Sequence, residues 1–373
     1  MANAKIPVLI TAVGGGGVGE QILKALTIAN NQDPKYHIIA GDMNPYCPQF
    51  KMADEAFCLP SANDENFMDA LNHITKTKNC LALFPGCEPD LARISKNRDA
   101  LDTNDLMLPI NPTDVITTCM DKTATGKILT ELGFNPPQYI EAETYEELEH
   151  IDWFPVVIKP TRGSGGSAHS YIAQNQEELR YLTLYLKSAV PNQAFIVQEY
   201  VGDENSEYTV GILHDMDGHY INSIAVHRQL KSILNVRARY KNNTGRTDLG
   251  ETLTISSGIS HGFVGKFPEV TDRCRDLAKA IGARCAINIQ LRLVDGEIKV
   301  FEINPRFSGT TSIRAMMGYN EPDTLVRKHI LGEDIQTDFA FEEGMILRSL
   351  VETALPNTPA PKWNSDMPEK KYG

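Results

Sequence analysis

Over roughly the first hundred residues, short β-branched runs alternate with stretches whose apolar positions recur every three to four residues. Residues 8–13 form the first run, which ends in Gly14-Gly15-Gly16-Gly17. Residues 18–28 follow as a helix, with Ile22, Leu23, Ala25 and Leu26 apolar. Residues 37–40 read as a second strand ending at Gly41-Asp42, and residues 80–84 as a third ending at Pro85-Gly86. Strands separated by helical periods predict βαβ units and a parallel sheet.

The pattern changes after Asp121, a suitable N-cap. Residues 127–132 read as a helix stopped by Gly133 and Pro136-Pro137. Strand-like runs follow at 156–158, 194–201, 208–213, 219–226, 286–294 and 297–303, interrupted by helical periods at 177–186 and 270–281. Asp217-Gly218 and Asp295-Gly296 are hairpin signals. This half therefore predicts an α+β unit with antiparallel sheets. The expected division is an α/β domain at 1–115, a second domain at 116–345, and an extension at 346–373. Four prolines from Leu355 onward suggest that this extension is a loose tail.

Composition narrows the class. Hydrophobic residues make up 42% and charged residues 23% of the 373, which is ordinary for a globular protein. The net charge of −12 argues against a nucleic-acid partner or an anionic membrane surface. Seven cysteines without a CxxC pair suit reduced thiols better than disulfides or zinc. No run approaches the roughly 20 apolar residues of a membrane helix, and the N-terminal apolar run dissolves into glycines, unlike a signal peptide. A cytoplasmic protein is expected.

Several stretches carry candidate chemistry. Gly14, Gly16 and Gly19 satisfy GxGxxG after a strand, with Asp42 placed where a ribose-binding acid would sit. NAD binding and a tight turn that binds nothing both fit. Lys159 ends an apolar strand and runs into Gly163, Ser164, Gly165, Gly166 and Ser167, a loop able to close backbone N–H groups around phosphate oxygens. Lys122 is a second cation for the same purpose. No GKS or GKT follows, so this is not a Walker A loop. Gln198, Glu199, Tyr200 and Val201 end a buried-looking strand whose backbone at Glu199 and Val201 could pair with adenine, and Glu207 could accept ribose hydroxyls. Alone, this is an ordinary strand–loop–strand.

Residues 286–293 alternate strictly, with Gln290 and Arg292 on the polar face. The partner strand puts Phe301 and Ile303 on one face and Val300, Glu302 and Asn304 on the other. Gln290, Glu302 and Asn304 are hard oxygen donors suited to Mg²⁺, and Arg306 stands next to them. A solvated edge hairpin is the alternative, and Arg292 fits it. A two-residue Asp295-Gly296 turn would pair Gln290 with Phe301 and split the metal set. Pattern and chemistry together therefore ask for a three-residue loop, Val294-Asp295-Gly296. Between Arg228 and Asp248 lie Lys231, Arg237, Arg239, Lys241 and Arg246 with no acid. Arg228, Arg237 and Arg239 are candidates for an anionic substrate, and a solvated loop is the alternative.

Taken in order, these motifs resemble the ATP-grasp superfamily over about residues 6–345. Asp121-Lys122 and Glu207-Tyr208-Thr209-Val210 are similar to D-alanine–D-alanine ligase. The hairpin from Asn288 to Arg306 resembles the carbamoyl-phosphate synthetase large subunit. The resemblance implies a Rossmann-like pre-ATP-grasp domain followed by a two-lobed ATP-grasp domain, with a lid at about 135–197. It implies that Lys122 and Lys159 hold ATP phosphates under the loop 163–167, and that Gln198, Glu199, Tyr200 and Val201 meet adenine. It implies that Glu207 meets ribose, that Gln290, Glu302 and Asn304 hold Mg²⁺ or Mn²⁺, and that Arg306 meets an acyl phosphate. The implied activity is a ligase joining a small carboxylate to an amine or a thiol, with a homodimer left open. The chain departs from the synthetase in having a single unit, no room for a glutamine-hydrolysing domain, and a lysine at 159 where arginine is usual. An NAD-dependent oxidoreductase and a non-catalytic nucleotide-binding regulator are the competing classes.

Overall fold

Four parallel strands, β1 (Ile6–Ile10), β2 (Tyr36–Asp42), β3 (Glu55–Cys58) and β4 (Ala82–Phe84), form the first sheet in the order β3-β2-β1-β4. The computed structural model describes residues 5–101, 105–163, 167–355 and 358–364. Helices α1 (Val18–Gln32) and α2 (Phe67–Thr77) are the crossovers from β1 to β2 and from β3 to β4, and α3 (Glu88–Lys96) follows β4. Glu55-Ala56-Phe57-Cys58 has neither alternation nor β-branching, so β3 is invisible in the pattern and owes its form to pairing with β2. The glycines at the sheet's carboxyl edge are packing requirements. A Cβ on Gly19 would lie 2.3 Å from the Ala12 carbonyl oxygen, and one on Gly86 would lie 1.8 Å from that of Thr11.

Helices α4 (Thr113–Cys119) and α5 (Lys122–Glu131) lead out of this unit. Asp121 caps α5, accepting from the N–H groups of Thr123 and Ala124, both at 3.0 Å. A four-stranded antiparallel sheet follows, built from β5 (Tyr139–Ala142), β6 (Val156–Pro160), β7 (Tyr171–Ala173) and β8 (Phe195–Glu199) in the order β5-β8-β6-β7, with α6 (Gln176–Ala189) against it.

The central antiparallel sheet contains β9 (Glu207–His214), β10 (Tyr220–Arg228), β13 (Gly262–Gly265), β14 (Ala286–Val294), β15 (Glu297–Asn304) and β16 (Gly344–Ile346), ordered β15-β14-β9-β10-β13-β16. Between β10 and β13 a separate hairpin of β11 (Val236–Lys241) and β12 (Thr252–Ser256) projects and packs on the four-stranded sheet through Leu253 and Ile255. One face of the central sheet buries Val210, Ile212, Ile287 and Ile289 against α7 (Pro268–Ala280). Helices α8 (Thr311–Met316) and α9 (Glu321–His329) lie against α1, and their core is continuous with that of the first sheet.

Three expectations are corrected. The turn at Asp295-Gly296 is the two-residue form, with both residues at positive φ (+52° and +78°) and Val294 opposite Glu297. The odd residue sits instead in a β-bulge at Phe301: Leu291 pairs with Val300, but Gln290 pairs with Glu302. Val300 consequently joins the core with Ile298, and Phe301 does not share the face of Ile303. The expected loose tail also has a docked part. The Cys58 N–H donates to the Pro361 carbonyl (2.8 Å) and the Trp363 N–H to the Cys58 carbonyl (3.3 Å), so the chain runs along the open edge of β3. Proline is tolerated there because an edge strand needs partners on one side only. The boundary drawn at 345 cuts through β16, whose pairing with β13 makes it part of the central sheet.

Candidate functional site

The four-stranded sheet, the β11–β12 hairpin and the polar face of the central sheet line an open cleft. From β6 comes Lys159, from the end of β8 come Gln198, Glu199, Tyr200 and Val201, and from β9 comes Glu207. From β14 and β15 come Gln290, Arg292, Phe301 and Glu302, and from β12 come Thr254 and Ser256. Alternation along β6 turns Val156 and Ile158 into one core while the lysine end of the strand reaches the cleft.

At one end of the cleft the cations and oxygen donors meet. Lys159 is 6% exposed, and burial, followed by the nearby charge of Lys122, pushes its ammonium down to about 8. Its Nζ lies 5.7 Å from the centre of the Phe301 ring, the ring that the bulge re-aims. Lys122 is brought close because its N–H donates to the Thr161 carbonyl (3.0 Å), while Arg162 bonds the Asp121 cap (2.8 Å). Glu302 Oε1 accepts from Asn304 Nδ2 at 3.0 Å and is 3.5 Å from Gln290 Nε2. Arg306 Nη2 donates to Asn304 Oδ1 at 2.8 Å. The bulge thus achieves what the odd loop was expected to do: Gln290 and Glu302 share one face. Of the glycine–serine loop, Gly163 is exposed at φ +69° and Ser167 Oγ donates to the Ser256 carbonyl (2.8 Å). Ser164, Gly165 and Gly166 lie outside the described residues.

The other end holds a buried charge network that the pattern did not foretell. Glu207 is 2% exposed, and its carboxylate accepts from Arg228 Nη1 (2.9 Å) on one oxygen and from Arg292 Nη2 (3.2 Å) on the other. Burial works to raise this carboxyl, but the Arg228 and then the Arg292 guanidinium outweigh it and hold it below the usual carboxylate range. Arg292, which fitted a solvated face, is buried 4.4 Å from the centre of the Tyr200 ring and donates to the carbonyls of Val201 (3.0 Å) and Thr254 (3.2 Å). It therefore ties the β8 exit, β9 and β12 together. Arg228 is withdrawn from the anionic-substrate set: its guanidinium is fully buried and bonded to Glu207, Ser256 and the Ser257 carbonyl. Arg237 and Arg239 lie on the exposed face of β11 and do not line the cleft; Arg239 bonds the Leu230 carbonyl.

At the N-terminal glycines, Asp42 Oδ2 accepts from the Gly14 N–H (2.7 Å) and Oδ1 from the Asn44 N–H (2.9 Å). This acid closes its own turn. The residues missed in the sequence are Arg292, Thr254, Ser256, Phe301 and Glu88. Only Phe301 left a signal, since apolar positions switch from even (Ile298, Val300) to odd (Ile303) across it. The seven cysteines are free thiols, and no described helix is long and apolar enough to cross a membrane.

Two family models match the chain. Residues 8–108 match the PylC-like N-terminal domain, and residues 192–353 match the ATP-grasp domain of a biosynthetic pathway associated with the Ter operon. The carbamoyl phosphate synthase large chain of Thermoanaerobacter pseudethanolicus is 25% identical over 198 residues, covering 52% of this chain and 17% of that protein. The chain thus spans only a small part of that relative's length. An L-amino acid ligase from Bacillus licheniformis shares the fold at TM-score 0.60 and 16% identity, covering 88% of this chain and 75% of that one. D-alanine–D-alanine ligase from Bacillus anthracis, solved with ATP, does so at TM-score 0.55 and 17% identity, over 88% of this chain and 98% of that one. With a parallel N-terminal sheet and two antiparallel sheets facing each other across a cleft, the chain has the fold of these ligases, and its residues 192–353 match an ATP-grasp domain.

Proposed function

We propose that this chain is an ATP-dependent ligase that joins a carboxylate to an amine (or a thiol) through an acyl phosphate. The observation that carries this reading is the gathering of Lys159, Gln290, Glu302, Asn304 and Arg306 at one end of a cleft whose other end is closed by Tyr200, Val201 and Glu207. In this reading adenine lies against Gln198, Glu199, Tyr200 and Val201, and the ribose lies near Glu207. Lys122 and Lys159 hold the phosphate oxygens, Lys159 doing so in a desolvated setting where its charge is little screened. Ser167, bonded to the Ser256 carbonyl, borders the same cleft, and Ser164, Gly165 and Gly166 of the glycine–serine loop lie outside the described residues.

Gln290, Glu302 and Asn304 fit a hard cation by chemistry: one carboxylate and two amides lie on one face, a half-turn of the Gln290 amide exchanges the nitrogen now facing Glu302 for an oxygen, and Asn304 Oδ1, which accepts from Arg306, keeps a second lone pair. Mg²⁺ held there, or Mn²⁺, which shares its preference for oxygen, would neutralise phosphate charge. Arg306 then meets the oxygens of the γ-phosphoryl group as a substrate carboxylate attacks the phosphorus and ADP leaves with the bridging oxygen; an amine next adds to the acyl carbon, gives up a proton and displaces phosphate. Such chemistry needs positioning and charge neutralisation more than a protein nucleophile. The L-amino acid ligase and the D-alanine–D-alanine ligase that share the fold support a bond to nitrogen.

Phosphate release measured across a panel of amino acids and organic acids tests this. Release above the ATP-only rate is expected when both an acid and an amine are present. Absent MgATP binding by isothermal titration would remove the reading. The oxidoreductase alternative predicts saturable NADH fluorescence. None is expected, because both Asp42 oxygens already accept backbone N–H groups; saturable binding lost in Gly16→Val would restore that alternative.

A further inference from the structure

We propose that Glu88, the first residue of α3 in the N-terminal unit, is a positioning residue that fixes the Arg306 guanidinium at the reaction centre. This rests on the ligase reading in taking Arg306 to face the transferred phosphoryl group. Glu88 and Arg306 are 218 residues apart, yet Glu88 Oε1 lies 2.6 Å from Arg306 Nη2. That same Nη2 donates to Asn304 Oδ1 (2.8 Å), and Nη1 donates to the Phe307 carbonyl (3.0 Å). The guanidinium is thereby held at both terminal nitrogens. Its Nε is buried and has no partner among the described residues. A buried N–H without an acceptor is costly, so a planar fork clamped in this way is set to receive one.

Charge alone argues against an acid here. Burial works to raise the Glu88 carboxyl, but Arg306 and then Lys122 outweigh it and hold it below the usual range. Glu88 therefore stays anionic between two cations assigned to phosphate, where it repels an incoming phosphate oxygen. Orientation of Arg306 is what the geometry offers in return.

The test titrates inorganic phosphate onto the MgADP complex of the full chain by calorimetry, comparing wild type, Glu88→Gln, Glu88→Ala and Glu88→Asp. All four are expected to bind MgADP within about twofold of one another. The glutamine amide oxygen still accepts from Arg306, so Glu88→Gln keeps its phosphate affinity. Glu88→Ala is expected to lose about tenfold, the scale of one oriented hydrogen bond to a charged group. Glu88→Asp, one methylene short, loses part of this and serves if the alanine variant does not fold. Charge removal alone would strengthen phosphate binding in Glu88→Ala, so a loss there cannot be a simple electrostatic effect. Unchanged or tighter phosphate binding in Glu88→Ala overturns the proposal. So does an equal loss in Glu88→Gln, or a wild-type MgADP complex that takes up no phosphate. Failure of wild type to bind MgADP rejects the nucleotide reading instead.

Discussion

Glu207→Ala is expected to cost about 3–5 kcal/mol of folding stability, because it leaves two buried guanidiniums without their carboxylate. Both side chains of the Glu207–Arg228 pair are 2% exposed, and Arg292 is scarcely more so. Urea denaturation measures the loss. If Glu207 only met a ribose, stability would stay within roughly 0.5 kcal/mol of wild type and nucleotide affinity alone would change; that outcome would remove the structural assignment. The sign with pH follows from the lowered carboxyl. Its contribution is fully present above the unfolded value of 4.5 and is lost only as pH falls through the lower folded value.

Lys159→Met is expected to weaken MgATP binding by on the order of 2–5 kcal/mol, the range for truncating one partner of a buried charge pair. The fold should survive, since methionine fills similar space and removes a desolvated charge. Wild-type affinity should itself fall as pH rises through about 8, where the free protein loses the ammonium, with a proton taken up on binding at and above that pH. The folded value lies below the ordinary 10.5, so the native state releases this proton first, and folding stability gains from Lys159 as pH rises between the two. Isothermal titration at several pH values reads both effects. Unchanged affinity in the methionine variant would end the phosphate assignment.

The local elements were largely legible in the chain. The runs at 156–158, 208–213, 286–294 and 297–303 lie within β6, β9, β14 and β15, since each carries its own apolar alternation or β-branched stretch. The helix expected at 127–132 is longer at its start because Asp121 caps it, and Lys122 is its first residue. The β11–β12 hairpin was not legible. Its alternation sets Arg237, Arg239 and Lys241 outward, which reads as a basic loop, and only the neighbouring sheet gives Leu253 and Ile255 something to pack on.

What the sequence determines alone is order and local period: a glycine turn after β1, a lysine closing β6, acid and amide two residues apart on β15. Tertiary structure decided the rest. Periodicity is read within one strand, but the register between two strands belongs to both, so the bulge at Phe301 becomes visible only when β14 lies beside β15. Whether a charged side chain is solvated or buried depends on what covers it. Arg292 looks like a surface residue until Thr254 and Tyr200 close over it and Glu207, 85 residues earlier, supplies its counter-charge. The same holds for Glu88 and Arg306, and for a proline-rich tail that finds an open strand edge at Cys58. Each is a pairing between distant segments, whose free energy is a property of the contact and is absent from either segment alone.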